Sequence, residues 1–245
     1  DAYNLAWKLD AALKGQADDR LLDSYQSERR PHAKAMIDLS IHMKNFVSTA
    51  NPLLSSLRNV ATRTARRTPG LREFLSEAKF KPRPRYEAGA YFGLPRQRRN
   101  GLEGEQLPQP TLADRECRPL LLDEALGEGY ALIGFAVDPR QSLSAADLQQ
   151  LAQLNTRYLT LYPAGGRPQG KAAASTPAGL SEWEDMSGEC IRRFREAGYA
   201  EGTVAIVRPD RFVFAMARPG NAPAAVQSLL EQLGLQAVTR QQEAS

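Results

Sequence analysis

The sequence predicts an α+β protein in two parts, a helical N-terminal segment followed by a domain of alternating strands and helices. Apolar residues recur at helical spacing through residues 1–80, and from residue 107 onward short β-rich runs alternate with helical ones. Between them, residues 81–110 are rich in Pro, Gly and Arg and show no sustained period. Charge divides along the same line. Residues 1–106 hold 19 Lys+Arg and 12 Asp+Glu, giving +7, whereas residues 107–245 hold 13 and 16, giving −3, for a total of +4. Two units with different surroundings are expected.

The first element, DAYNLAWKLDAALKG, reads as a helix from its first turn. Leu5, Leu9, Ala12 and Leu13 share one face, which is the face expected to be buried. Asp1 stands where a carboxylate accepts unpaired N–H groups, and Gly15 is a fitting stop. Ala2, Ala6 and Trp7 widen the apolar surface, so neighbours are expected on more than one side. Such a helix is unusual at a chain terminus, and further polypeptide upstream is expected.

Asp18 or Asp19 can cap the next run, LLDSYQSERRPHAKAMIDLSIHMKNFVS, whose first stripe is Leu21, Leu22 and Tyr25. Pro31 has no N–H and collides with the carbonyl four residues back. A break or kink is therefore expected there, giving two helices end to end. Ala33, Met36, Ile37, Ser40, Met43 and Val47 keep one face of the second small or apolar. LLSSLRNVATRTARR and GLREFLSEAKF read as short helices divided by Pro69-Gly70. Arg58, Arg63, Arg66 and Arg67 form a basic surface, better explained as a solvated face than as a phosphate or acidic-partner site. Residues 81–110 are expected to form an irregular crossing and a linker at about 94–106, with a boundary near Gly101 to Leu107.

Beyond the boundary, PLLLDEAL is a short apolar run and YALIGFAV (130–137) a strand. Ser144 caps AADLQQLAQL, whose Leu148, Leu151 and Leu154 mark a helix face, and RYLTLYP (157–163) is the next strand. AGGRPQGKAAASTPAGLS (164–181) reads as a loop, and its glycines do not match a phosphate-cradling motif. GECIRRFREAG is a short helix, TVAIVRPDRFVFAMA (203–217) a hairpin turning at Pro209 and Asp210, and APAAVQSLLEQLGL a closing helix. Two strands joined through a helix imply a parallel pair, and the hairpin adds antiparallel strands. That order is thioredoxin-like. The position of a redox CxxC, however, reads Asp138-Pro139-Arg140-Gln141-Ser142, so the unit is expected to be a scaffold without thiol chemistry.

Cys117 and Cys190 match neither a redox pair nor a zinc spacing, and read as two reduced thiols of a cytoplasmic protein. His32 and His42 have no acidic or sulfur ligand at metal spacing, so no metal site is expected. No run approaches the ~18 apolar residues of a membrane span. The Arg-rich 58–99 region lacks a nucleic-acid recognition motif. No membrane or nucleic-acid partner is expected.

DAYNLAWKL followed by LLDSYQSERRPHAKAMIDLS resembles the end of the flavin-binding domain in the FAD-dependent aromatic-ring monooxygenases, and FKPRPRY and VRPDRFVFA resemble the same group. Within it, the likeness is to the branch acting on 3-(3-hydroxyphenyl)propionate. The resemblance implies that residues 1–106 are the C-terminal helical part of an FAD-binding domain and residues 107–240 a thioredoxin-like C-terminal domain. The implied activity uses NADH or NADPH, FAD and O2 to hydroxylate a phenolic substrate through a flavin C4a-hydroperoxide. No GxGxxG occurs in the chain. The FAD fingerprint and the catalytic residues are thus expected upstream of residue 1, and this chain alone is expected to be inactive.

The resemblance also implies that the first helix points its N-terminal end at the flavin ring, where its partial positive charge stabilises negative charge. Asp1, Ala2 and Asn4 are the implied cofactor-binding residues, weighed against simple capping and helix packing. Tyr25, Glu28, Arg29 and Arg30 match YxxERRP and read as architectural, with Glu28 pairing either Arg29 or a distant Arg. The rival reading is a non-catalytic interaction or dimerisation module, and the acidic C-terminal half offers a surface for a homo-oligomer.

Overall fold

A computed structural model describes residues 2–76, 85–94, 100–168 and 178–235. The chain forms two compact units: residues 1–27 with 86–245, and residues 28–85. The mixture of helix and sheet agrees with the α+β expectation.

The larger unit is built on a seven-stranded mixed sheet. Its strands are β1 (Thr111–Ala113), β2 (Pro119–Leu121), β3 (Ala131–Phe135), β4 (Arg157–Pro163), β5 (Leu180–Asp185), β6 (Val204–Val207) and β7 (Val213–Ala217), in the order β2-β1-β5-β4-β3-β6-β7. β3 and β4 pair in parallel, β4 and β5 in parallel, and β6 and β7 as an antiparallel hairpin. Every residue of β3, β6 and β7 is buried, as expected for apolar strands covered on both faces. A Cβ at Gly134 would collide with the Val137 carbonyl, which is why β3 carries a glycine where the chain bends away.

Helices α5 (Leu122–Leu126) and α7 (Glu189–Glu196) cover one face through Leu122, Leu126, Ile191 and Phe194. Helices α6 (Ala145–Gln153) and α8 (Ala222–Gln232) cover the other through Leu151, Val226, Leu229 and Leu230. Ser144 caps α6 as expected, its hydroxyl accepting from Asp147 N–H while the Asp147 carboxylate accepts from Ser144 N–H.

Three strands, β1, β2 and β5, lie outside the expectation from sequence. Leu180 and Ser181 were assigned to a loop, yet they open β5. Ser181, Glu182, Glu184 and Asp185 are poor strand formers, but β5 is flanked by β4 on one side and β1 on the other, and that pairing overrides propensity. Residues 169–177 of the same loop lie outside the described residues.

The N-terminal helix α1 (Ala2–Leu13) belongs to this unit and corrects another expectation. The Leu5, Leu9, Leu13 stripe is not the buried face: Leu9 is 41% exposed and Leu13 87%. Asn4 and Lys8 are buried instead, with Trp7 and Ala11 packed on the α6–α8 side of the core. At about 100° per residue, the two faces lie more than a quarter-turn apart. The polar face wins because its groups find partners. Lys8 Nζ donates to Ser24 Oγ at 2.8 Å, and Asn4 is bonded as described below.

Helix α2 runs unbroken from Arg20 to Val47 with Pro31 inside it, so the expected pair of helices is one helix. A single missing N–H and a local clash do not end a helix whose flanking turns are hydrogen-bonded on both sides. Leu21, at its start, joins the core beside α8. The smaller unit continues with α3 (Pro52–Arg67) and α4 (Pro69–Ser76), divided at Thr68 with proline opening each. Asn51 caps α3. Arg58 is partly consumed within this unit, donating to the Phe46 and Val47 carbonyls at the end of α2. Leu53, Leu54, Leu57 and Val60 are exposed.

The stretch read as a crossing and linker holds neither a helix nor a long strand in its described parts. Tyr86, Tyr91 and Phe212 cluster, Leu102 is buried, and Gly104 N–H donates to the Val213 carbonyl. No helix among the described residues is long and apolar enough to cross a membrane.

Candidate functional site

The first turn of α1 is the place where the resemblance puts the cofactor. Asp1 lies outside the described residues. Ala2 is exposed, and the first turn carries no acidic side chain. The N–H groups of a first turn have no carbonyl partner inside their own helix, so this end of α1 offers donors and partial positive charge.

Asn4 is turned away from that end, into the larger unit. Its Nδ2 donates to Asp210 Oδ2 at 2.9 Å, across 206 residues of sequence. Asp210 lies in the turn between β6 and β7 and is held by Arg208: Nε donates to Oδ1 at 3.0 Å and Nη2 to Oδ2 at 2.6 Å, a two-point pair with both side chains 1% exposed. The guanidinium sits between two rings, 4.9 Å from the centre of Trp7 and 4.5 Å from that of Tyr91, and Nη1 donates to the Ala90 carbonyl at 3.2 Å. Trp7 also meets Tyr130 edge-on. A buried charge requires partners of this quality. The sequence reading took Pro209 and Asp210 for ordinary turn residues and gave Arg208 no role. The signal was the phrase VRPDRFVFA itself, because a charged pair between two apolar strands is out of place unless something binds it.

A cleft of about 110 Å³ runs beside this knot, lined among others by Trp7, Asp10, Lys14, Glu128 and Asn155. Of the YxxERRP residues, Glu28 is buried, Arg29 half-buried and Arg30 exposed. Among the described residues, no group of three His, Cys, Asp or Glu side chains could hold a metal ion.

At the bend after β3, Asp138 and Arg140 form an ion pair. Arg140 Nη2 donates to Asp138 Oδ2 at 2.8 Å, and the Arg140 N–H donates to Oδ1 at 3.0 Å. Burial pushes the Asp138 carboxyl up, but the Arg140 hydrogen bonds and charge together outweigh it and hold the group below its usual 3.8. Tyr158 stacks on Arg140, and burial raises its phenol despite that cation. Cys117 is exposed and Cys190 buried; burial first, and then the Asp185 charge, push the Cys190 thiol far above the ordinary range. Asp185 itself caps α7, accepting from the Cys190 and Ile191 N–H groups at 2.9 and 3.0 Å.

Residues 104–232 match the family described as the HcaD C-terminal domain. The chain belongs to that family. Residues 1–40 of this HcaD C-terminal domain protein match a second family, the FAD binding domain. A similar curated protein is the 3-(3-hydroxy-phenyl)propionate/3-hydroxycinnamic acid hydroxylase of Klebsiella pneumoniae (strain 342), 32% identical over 96% of this chain and 41% of its own length. The protein of the same name from Escherichia coli (strain K12) is 34% identical over 89% of this chain and 38% of its own. The chain therefore spans about two fifths of the length of these relatives. Among solved structures, the flavin-dependent monooxygenase PieE in complex with FAD and substrate aligns over 96% of this chain and 43% of its own, with a TM-score of 0.55 and 20% identity. The ternary complex of aklavinone-11 hydroxylase with FAD and aklavinone aligns over 95% and 38%, with a TM-score of 0.54 and 20% identity. These two share the fold. The resemblance to FAD-dependent aromatic-ring monooxygenases carried by DAYNLAWKL and YQSERRP is borne out.

Proposed function

We propose that this chain is the C-terminal part of an FAD-dependent, NAD(P)H-using monooxygenase of the cytoplasm that hydroxylates a phenolic ring, with a 3-(3-hydroxyphenyl)propionate-like acid as its substrate. The observation that carries the reading is the order of the two family matches, FAD binding domain over residues 1–40 and HcaD C-terminal domain over residues 104–232. The chain covers two fifths of relatives named as hydroxylases, which supports it. The bare flank of α1, with Tyr3, Leu9 and Leu13 exposed, suits a helix built to receive more polypeptide.

On this reading residues 1–106 derive from the FAD-binding part, and residues 107–240 form a thioredoxin-like scaffold whose redox position is filled by Asp138 and Arg140. The residues present fit the flavin in one respect: the first turn of α1 presents N–H groups that have no carbonyl partner within the helix, and no acidic side chain among the described residues. The backbone at Asp1 and Ala2 would lie against the ring, with Asn4 holding the turn. Bound FAD supplies the hydride acceptance and O2 activation. This chain's part is to stabilise negative charge at the ring with the dipole of α1, and to keep that helix in place.

The rival reading, a non-catalytic interaction module, draws on the exposed Leu53, Leu54, Leu57 and Val60 of α3. The longer protein that contains this chain separates the two. Purified, it is expected to be yellow and to consume NADH or NADPH faster when a phenolic acid is added, with a catechol as product by mass spectrometry. A colourless preparation with no flavin after denaturation overturns the enzyme reading.

A further inference from the structure

The polar knot between α1 and the β6–β7 turn grips the helix at two places. Asn4 is bonded to Asp210, and Trp7, one helical turn further on, covers the Arg208 guanidinium. Arg208 and Asp210 are fixed to each other through two nitrogens and two oxygens, and Arg208 is fixed again by Tyr91 and the Ala90 carbonyl. An apolar solution was at hand, because the Leu9 and Leu13 side of the same helix remains in solvent. Buried ion pairs are a poor source of stability beside hydrophobic packing. What directional hydrogen bonds add is orientation.

We propose that Asn4, Arg208 and Asp210 are positioning residues, through which the β6–β7 turn sets the rotation and height of the first turn of α1. On the function proposed above, on which this inference rests, the C-terminal domain thereby holds the end of the helix that meets the flavin. Arg208 and Asp210 act on the helix through Asn4 and Trp7.

The test uses Asn4→Ala, which leaves the Arg208–Asp210 pair intact, with Lys14→Ala as a control at the exposed Lys14–Asp10 pair. In this chain, amide exchange of residues 6–8, whose N–H groups bond back to the first turn, is expected to be roughly tenfold to a hundredfold faster in Asn4→Ala, as the loss of one hydrogen bond to a carboxylate allows. The β3–β4 core and the Lys14→Ala chain are expected to be unchanged. In the longer protein, the flavin midpoint potential and absorption spectrum are expected to shift in Asn4→Ala and not in Lys14→Ala, a readout that mere loss of stability does not move. Unchanged exchange at residues 6–8 overturns the clamp. Faster exchange with an unmoved potential overturns the positioning role and leaves the proposed function standing. A longer protein without flavin overturns the proposed function and, with it, the flavin end of this inference.

Discussion

Asp138 is a single side chain whose charge is committed to one partner. It stands at the bend after β3, and its carboxylate is bound to Arg140. Because its carboxyl is held below the usual 3.8, the pair stabilises the fold fully above that value and ceases to do so as pH falls through the lowered one. Asp138→Asn is therefore expected to be less stable than the unaltered chain by a constant amount between about pH 5 and pH 7, with the gap closing below about pH 4. Urea unfolding at a series of pH values measures it, and a gap that persists undiminished to about pH 2 refutes the assignment. The absence of CxxC was plain from the sequence. The Asp138–Arg140 ion pair was not, because adjacency in sequence does not say whether two side chains turn toward each other.

At the level of elements, the helical period of α1 was readable and its orientation was not. Periodicity selects the stripe with the most leucines, whereas burial goes to the stripe whose neighbours fit. Asn4 and Lys8 find Asp210 and Ser24, and no window of sequence brings Asn4 and Asp210 together. β5 was missed for a related reason, its acidic residues being tolerated by pairing on both edges. In α2 the rule for proline was applied too strictly. Pro31 deprives the helix of one hydrogen bond, and a proline in a helix interior costs about 3 kcal/mol relative to alanine. Pro31→Ala is thus expected to leave the helix boundaries in place and to slow amide exchange across residues 27–35. Loss of helical circular dichroism in that variant contradicts the picture of one continuous helix.

Across the whole molecule, the two family matches do not coincide with the two compact units. The FAD binding domain match covers residues 1–40, yet residues 1–27 pack with the C-terminal sheet. Family match and packing thus divide the chain differently. The chain by itself, which carries no GxGxxG, is expected to be colourless after purification in the presence of excess FAD and to leave NADH unoxidised when a phenolic acid is added. Flavin absorbance retained through gel filtration contradicts this.

The sequence by itself determined the α+β class, most of the helices, the strands β3, β4, β6 and β7, the lack of a CxxC pair and the family likeness, because all of these are written in local period, local turn chemistry and short motifs. Only the tertiary structure decided which side of α1 is buried, that β1, β2 and β5 exist as strands, and that Asn4, Arg208 and Asp210 form one cluster. Those outcomes depend on energies shared between residues up to two hundred positions apart, and such energies leave no trace in any single stretch of chain.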